Sequence, residues 1–306
     1  MSVSPNPFNY LSARSPFRNY RLNDCRKLRV SSKYVRDWLR RQPAAKEESL
    51  TDWLLYDVSR RIPRIVYWAF SRHEEARQTG ADWEWWLLFA DGAFAMRVQA
   101  KKLSTVRDNY PGIAHSNRHG MQIDALMVSS ERNNCAPFYA FYAAEANHVK
   151  CARAILDEGV FMAAGQSVYD AFILPARRDV RCDDALSLAL PLSCFACCPL
   201  TTQGDDRPDA PEPATVGPMT ADGWRSFITR YFHTRKTAND RGSAAESQND
   251  IAGFHTTVPL YVAAVLEHRK GLPDWYEHEF RDSIADTKAL VVYDLRESPV
   301  RKRLRS

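Results

Sequence analysis

No run in this chain of 306 residues approaches the roughly 18 apolar residues that a membrane span requires. An apolar signal core is missing near the N-terminus, so we expect a cytoplasmic protein without a membrane partner. The sequence also lacks a glycine-rich phosphate loop, a nucleophile elbow and a zinc-protease helix motif. These absences argue against several common enzyme classes. They leave a globular protein of ordinary composition, with 45% hydrophobic and 26% charged residues.

The seven cysteines are an odd number with irregular spacing, which predicts reduced thiols rather than a framework of disulfide bonds. Cys194, Cys197 and Cys198 have the spacing of half a zinc site, and Cys182 is the nearest candidate for a third ligand. The neighbouring residues 186–192 are strongly apolar, which favours buried thiols instead. The sequence leaves both interpretations open.

Basic residues are concentrated at the two ends of the chain, although the net charge is only +5. Residues 1–41 contain ten arginines and lysines against two acids, and residues 301–305 contain four basic residues. Such ends suit a polyanionic partner, and they are equally typical of solvated basic tails.

Composition divides the chain into four segments. Residues 1–30 predict a basic, poorly ordered extension, and residues 31–200 predict the core domain. Residues 201–220 are rich in aspartate, proline and glycine, which predicts a flexible linker or loop. Residues 221–306 predict a mostly helical part with a late strand at 289–293, packed on the core.

Hydrophobic periodicity within the core domain predicts two helices, three strands, a further helix and a fourth strand. The fold class that we expect is therefore α/β. The turn signal Asp91-Gly92 joins the second and third strands as a hairpin. The predicted ranges are 32–42 and 47–61 for the first helices, 65–70, 82–89 and 94–103 for the strands, then helix 122–131 and strand 137–143.

The predicted hairpin brings an acid close to a Gln-x-Lys pair. Because side chains alternate between the faces of a strand, Asp82 and Glu84 share one face of the first strand. Arg97, Gln99 and Lys101 share one face of its partner for the same reason. A single face of the hairpin can therefore present Asp82 beside Gln99 and Lys101.

These residue types suit a site for Mg²⁺ or Mn²⁺, which prefer oxygen ligands. Asp82 would supply a carboxylate oxygen, the Gln99 side chain a neutral oxygen and the Ala100 carbonyl a third ligand. Lys101 would orient the attacking water and offset charge on a reacting phosphate. Since a neutral glutamine weakens such a site, we expect Glu84 to add a further acid. An edge hairpin that carries charge only to prevent aggregation would show the same residue pattern.

The order helix, three strands, helix and strand, with Asp82 followed by Gln99-x-Lys101, resembles the PD-(D/E)XK restriction-endonuclease-like superfamily. The Gln-x-Lys form is similar to the variant seen in Mrr-type restriction enzymes. The fuller pattern resembles an uncharacterised bacterial family of restriction-endonuclease-like proteins. The segments that carry this resemblance lie between about residues 47 and 143, at 48–51, 80–86, 99–101, 122–124 and 137–142.

The resemblance implies a restriction-endonuclease-like α/β core with helical C-terminal additions. It also implies that Asp82 is the principal metal ligand, Gln99 the altered acid, Lys101 the catalytic lysine and Glu48 an acid from the preceding helix. A helical wheel places Glu47 nearer the apolar stripe of that helix than Glu48, so the choice between them stays open.

The function that we expect is a metal-dependent endonuclease that hydrolyses phosphodiester bonds with Mg²⁺ or Mn²⁺, in phage defence or mobile-element functions. DNA is a better candidate than RNA as its partner, and Arg97 and Lys102 would contact the nucleic acid. A homodimer is one possible oligomeric state. One alternative is a catalytically weak or inactive nuclease-fold protein that binds nucleic acid. Another is a protein-interaction module.

Overall fold

The computed structural model describes residues 16–70, 80–114, 116–117, 120–146, 157–177, 179–197, 220–232, 252–284 and 287–296. The segment expected to be a linker, 201–220, lies outside these ranges except for its last residue. The described α-helices are α1 Pro16–Arg41, α2 Glu47–Arg61, α3 Gln122–Arg132, α4 Gly165–Val168, α5 Cys182–Ser187, α6 Cys194–Cys197, α7 Ala221–Tyr231, α8 Leu260–Glu267, α9 Tyr276–Glu279 and α10 Arg281–Ile284, with a π-helical turn at Tyr169–Ile173.

The helices surround a mixed β-sheet, so the α/β prediction is confirmed at that level. The sheet order is β1-β10-β2-β3-β6-β7-β8, with β9 paired to β3, while β4 and β5 form a separate two-stranded ribbon. The strands are β1 Ile65–Ala69, β2 Trp83–Phe89, β3 Gly92–Lys102, β4 Ser116–Asn117, β5 Gly120–Met121, β6 Ala136–Tyr142, β7 Val160–Ala164, β8 Leu190–Pro191, β9 Phe254–His255 and β10 Ala289–Asp294.

The hairpin and the crossover that follows it set the geometry of the sheet centre. β2 and β3 pair antiparallel, with Trp83 opposite Val98 and Phe89 opposite Gly92. The chain then leaves β3, forms α3 and returns as β6, which pairs parallel to β3. The start of β2 and the C-terminal ends of β3 and β6 therefore lie at the same end of the sheet.

The late strand β10 lies inside the sheet rather than at its border. It pairs antiparallel with β1 on one side and parallel with β2 on the other. The late strand predicted at 289–293 is present as β10, and the segment 221–306, expected to pack on the core, also contributes β9 and β10 to the central sheet. The signal for a strand is local, whereas the choice of its neighbours depends on tertiary pairing that a periodicity does not encode.

Alternation along β2 and β3 divides the core between the two faces of the sheet. One face packs Trp83, Trp85 and Val98 against helices that include α1, α2 and α7. The opposite face packs Trp86 and Leu88 against α8, α9 and α10. A second cluster on that opposite face covers β6 and β7 with α3 and α5. Both faces of the central strands are therefore buried, which matches their nearly continuous apolar sequence.

Helix α1 begins at Pro16, so residues 16–30 are helical where the sequence predicted an unordered extension. Residues 1–15 lie outside the described part of the chain. The buried face of this helix contains Asp24, Ser31 and Ser32 beside Leu28 and Val35. Polar residues on a buried face hide the apolar period by which a helix is recognised, which explains the difference.

The cysteines follow the expectation only in part. Cys135 and Cys182 are free thiols and are buried. Cys194 is also buried, which is what its apolar surroundings predicted. Cys25 is disulfide-bonded, against the expectation of reduced thiols.

Across the described residues, no helix combines the length and apolarity that a membrane span requires.

A buried carboxyl group links α1 to the far edge of the sheet. Glu158 is 2% exposed, and the Ser193 hydroxyl donates a hydrogen bond to its Oε1. The hydroxyl of Ser32, in α1, accepts hydrogen bonds from the amides of Gly159 and Val160 at 3.1 and 3.0 Å. Burial raises the pKa of Glu158 from its usual value near 4.5 to about 7, while its hydrogen bonds with Ser193 oppose this rise.

The raised pKa of Glu158 predicts a stability that falls as the pH rises from about 4.5 to 7. In that window the folded protein keeps the Glu158 proton and the unfolded chain releases it, so a higher pH favours unfolding. Glu158→Gln should remove about 2 to 3 kcal/mol of this pH dependence. Urea unfolding at pH 4.5 and pH 8 measures the difference, with the exposed Glu131→Gln as control. Equal pH dependence in the three proteins would contradict the assignment.

Candidate active site at the ends of strands β2 and β3

The antiparallel register of β2 and β3 places Asp82 beside the Gln99-Ala100-Lys101 segment. Asp82 directly precedes β2, and its amide donates to the Val98 carbonyl at 2.8 Å. Gly80, two residues earlier, has a φ of +72° and packs against the start of α3. A β-carbon at this glycine would lie 2.4 Å from the Gln122 carbonyl oxygen. The close approach therefore requires glycine and fixes where the Asp82 segment enters the sheet.

Both carboxylate oxygens of Asp82 accept hydrogen bonds. Oδ2 accepts from the Gln99 side-chain amide at 2.6 Å and from the Ala100 backbone amide at 2.8 Å. Oδ1 accepts from the ammonium of Lys288 at 2.6 Å. Asp82 is thus bound to β3 through one oxygen and to the residue before β10 through the other.

The two polar atoms of the Gln99 side-chain amide differ in their hydrogen bonding. Its Nε2 donates to Asp82 and also to the Ala100 carbonyl oxygen at 2.9 Å. Because both of these partners are acceptors, the amide nitrogen must face them and the amide orientation is fixed. The Oε1 atom is buried and accepts no hydrogen bond from the described residues. A buried acceptor without a donor is costly, so this oxygen marks a place for a cation or a hydrogen-bond donor.

Lys101 is a buried cation in the same cluster. Its residue is 6% exposed, and its Nζ donates to the side-chain oxygen of Gln122 in α3 at 2.6 Å. Burial lowers the pKa of Lys101, while the charges of Glu47 and Asp82 oppose that shift. Gly112 lies against its alkyl chain, since a β-carbon there would be 3.2 Å from Cδ. Helix α3 and this loop therefore hold the ammonium in one place.

The structure places Glu47, rather than Glu48, beside the ends of the strands. Glu47 lies in the first turn of α2, and its Oε2 accepts from the Lys102 backbone amide at 2.6 Å. Burial raises the pKa of Glu47, while the charge of Lys101 lowers it. Glu48 is exposed. Adjacent residues differ by about 100° around a helix, so only one of them can face the sheet, and we reassign the helix acid to Glu47.

Glu84 and Arg97 form a separate, fully buried ion pair. Both are 0% exposed, with the Arg97 Nη2 atom 3.2 Å from Glu84 Oε2. Glu84 also accepts from the Trp86 indole at 2.6 Å and from the Tyr261 hydroxyl. The expectation that Arg97 contacts nucleic acid is corrected, because the side chain is enclosed by the core. Glu84, expected as a further metal ligand, has its carboxylate occupied by these donors.

Lys102, the other basic residue expected to contact nucleic acid, supports the loop before α2. Its Nζ donates to the carbonyls of Pro43 and Ala45 at 2.9 and 2.7 Å. Its backbone amide bonds Glu47, so Lys102 fixes the position of the helix acid from two sides.

Two residues of the cluster were not predicted from the sequence. Lys288 bonds Asp82 and belongs to a segment with no apparent motif. Tyr139 lies opposite Gln99 on the neighbouring strand, and its buried hydroxyl has no hydrogen bond among the described residues. Burial raises the pKa of Tyr139, and the charges of Asp124, Asp82 and Glu47 raise it further. The alternation of β6 puts Tyr139 on this face, which is the only signal that the sequence carried.

The ligand set for a metal ion is small. Within the described residues there is no group of three or more histidine, cysteine, aspartate or glutamate side chains that could hold a metal ion. Asp82 and Glu47 are the two carboxylates of this cluster, with Gln99 as the neutral oxygen donor. Cys194, one of the three cysteines with zinc-like spacing, is buried, and Cys198 lies outside the described residues.

Comparison with protein families gives one match. A family of unknown function, DUF6615, matches residues 25–298. The chain belongs to this family. The matched range of DUF6615 extends from α1 to the residues after β10, so it includes Glu47, Asp82, Lys101, Tyr139 and Lys288. No curated protein matches the chain, and no solved structure matches it.

Removing Arg97 from this DUF6615 protein should destabilise it strongly, because Glu84 would remain as a buried charge without its cation. Arg97→Met should lower the free energy of unfolding by about 3 to 5 kcal/mol, measured by urea denaturation. The double variant Glu84→Gln with Arg97→Met should recover much of that loss, because it removes both charges. The exposed Arg132→Met is the matched control. A loss below about 1 kcal/mol for Arg97→Met would show that the pair does not govern stability here.

Proposed function

We propose that this chain is a metal-dependent nuclease that hydrolyses phosphodiester bonds, in DNA rather than RNA. The observation that carries the proposal is the convergence of Asp82, Glu47, Gln99 and Lys101 at one end of β2 and β3. Asp82, Glu47 and Lys101 lie within electrostatic reach of one another, although they are far apart in sequence. Gln99 joins them through its hydrogen bond to Asp82. Two acids, a neutral oxygen donor and a buried lysine are the groups that hydrolysis of a phosphodiester needs.

The donor set fits a divalent cation that prefers oxygen. Asp82 and Glu47 supply carboxylates, and the buried Gln99 Oε1 supplies a neutral oxygen that the described residues leave without a donor. Mg²⁺ or Mn²⁺ bound there would supply Lewis-acid stabilisation of the charge on a phosphate. The Ala100 carbonyl, expected as a further ligand, accepts a hydrogen bond from Gln99 and has one lone pair left.

The protein's own groups would orient the reactants. Lys101 carries a positive charge that Gln122 and the Gly112 loop hold in one place, so it would offset charge on the phosphate without reorganising. The Tyr139 hydroxyl faces the same cluster and would hold a water or a phosphate oxygen by hydrogen bonding. Lys102 would keep Glu47 in place through its backbone amide.

A second candidate function is nucleic-acid binding without cleavage. It is favoured by Gln99, which stands where the resemblance expects an acid, and by the ion pair between Lys288 and Asp82. Both reduce the negative charge available to a divalent cation. The two candidates differ in whether cleavage occurs when Mn²⁺ is present.

Nuclease assays on the two neighbouring glutamates of α2 test the proposal with a built-in control. Purified protein should cut plasmid DNA in Mn²⁺ and not in EDTA. Glu47→Gln, Asp82→Asn and Lys101→Met should each lower the rate at least about 100-fold, since each removes a charged group from the reacting centre. Glu48→Gln should keep the rate of the unmodified protein, because Glu48 is exposed.

Intact DNA and RNA after incubation with Mn²⁺ would contradict the nuclease proposal. Salt-sensitive binding of the same DNA, without cleavage, would select the second candidate. Full activity of Asp82→Asn would remove this cluster from the reaction, whatever the activity of the protein.

Gln99→Glu tests whether the neutral residue at position 99 is one of the ligands of a cation. The new carboxylate would lie about as close to Asp82 as the amide does now, so like-charge repulsion should lower the melting temperature without metal. Added Mn²⁺ should raise the melting temperature of this variant more than that of the unmodified protein, because it neutralises both acids. The matched control is Gln166→Glu, an exposed position where the glutamine also donates to an aspartate. A similar Mn²⁺ response in both variants would argue against a cation site at Gln99.

A further inference from the structure

Lys288 directly precedes β10, the strand between β1 and β2, and this strand places it at the candidate site. In the parallel pairing of β10 and β2, Leu290 lies opposite Glu84. Two residues earlier on each strand, Lys288 comes level with Asp82. The carbonyl of Lys288 accepts a hydrogen bond from the Phe70 amide at 3.0 Å, so its backbone is also fixed to the end of β1. The position of the ammonium therefore follows from the sheet.

The two lysines of the cluster have different environments. Lys101 is buried and donates to Gln122. The Lys288 side chain is 33% exposed, against 12% for its partner Asp82, so Lys288 is the more solvent-accessible member of the ion pair. Its bond is to Oδ1, the Asp82 oxygen that β3 does not use. Oδ1 is therefore the oxygen that an incoming cation can reach, and Lys288 holds it.

We propose that Lys288 is a positioning residue that occupies Asp82 Oδ1 in the free protein, competes there with a divalent cation, and passes to a phosphate of the nucleic acid when that cation binds. The proposal rests on the proposed function for the identity of its two ligands. An ammonium and a divalent cation cannot share one carboxylate oxygen at contact distance without strong repulsion. Released from Asp82, the partly exposed Lys288 side chain would be available to a phosphate of the nucleic acid.

Charge balance supports this exchange. Asp82, Glu47, Lys101 and Lys288 together carry a net charge near zero. A divalent cation added to that set would leave an excess of positive charge, which the phosphates of a nucleic acid would neutralise. Cation and nucleic acid should then favour each other's binding, which is positive coupling between two ligands.

Calorimetric titration with Mn²⁺ alone, without nucleic acid, tests the competition. Lys288→Met should bind Mn²⁺ on the order of tenfold more tightly than the unmodified protein, because a nearby like charge has been removed. Lys288→Arg keeps the charge and should bind as weakly as the unmodified protein. Lys270→Met, which removes an exposed lysine elsewhere, should also change nothing. Lys288→Gln can still donate to Asp82, so it provides a neutral variant if the methionine variant does not fold.

The outcomes separate this inference from the nuclease proposal. Unchanged or weaker Mn²⁺ binding by Lys288→Met and Lys288→Gln overturns the inference, even if the unmodified protein cuts DNA. Tighter binding by both variants supports it, even if no variant cuts DNA and the binding function applies. If Mn²⁺ binds none of these proteins at millimolar concentration, the inference fails together with the cation site.

Discussion

The Asp82 carboxylate is the interaction on which the candidate site depends, because its donors come from both strands that lie beside β2. Gln99 and Ala100 bind it from β3, and Lys288 binds it from the residue before β10. A carboxylate that accepts three hydrogen bonds is fixed in orientation, and its charge is shared among groups that are far apart in sequence. The Asp82 side chain therefore connects the segments of three central strands, β2, β3 and β10, and its donors surround the carboxylate charge.

A second polar pair lies one step deeper on the same face of the hairpin. Asp82 pairs with Gln99 at the edge, and Glu84 pairs with Arg97 in the interior. The opposite face of these strands is apolar apart from Lys102 at the end of β3, with Trp83 and Val98 in the core. Because both faces of these strands are buried, a shift of the hairpin by one residue would place both polar pairs against the apolar core and move Trp83 to the opposite face. The two pairs therefore favour a single register. The geometry of the site and the specificity of the sheet thus depend on the same alternation.

The sequence predicts local geometry well and long-range placement poorly. Period-two alternation and one turn signal suffice to bring Asp82, Gln99 and Lys101 together, because both are local. The choice between Glu47 and Glu48 depends on the rotation of α2 against the sheet. Lys288 depends on the insertion of β10 between β1 and β2, which no local pattern encodes. The burial of a side chain also depends on residues that are distant in sequence. Alternation puts Glu84 and Arg97 on the expected face, and only tertiary packing shows that both are enclosed.

The electrostatic design of the cluster bears on why a glutamine can stand at position 99. With Lys288 bound to Asp82, the cluster has two acids and two cations, so it is balanced without any ligand. A third acid at this position would leave an unpaired charge in a site that is largely buried, at a cost of several kcal/mol or a raised pKa. Gln99 instead donates to Asp82 and leaves one neutral oxygen free of donors. A cation would then be held strongly only when a polyanion draws Lys288 away, so the neutral residue and the second lysine belong to one arrangement.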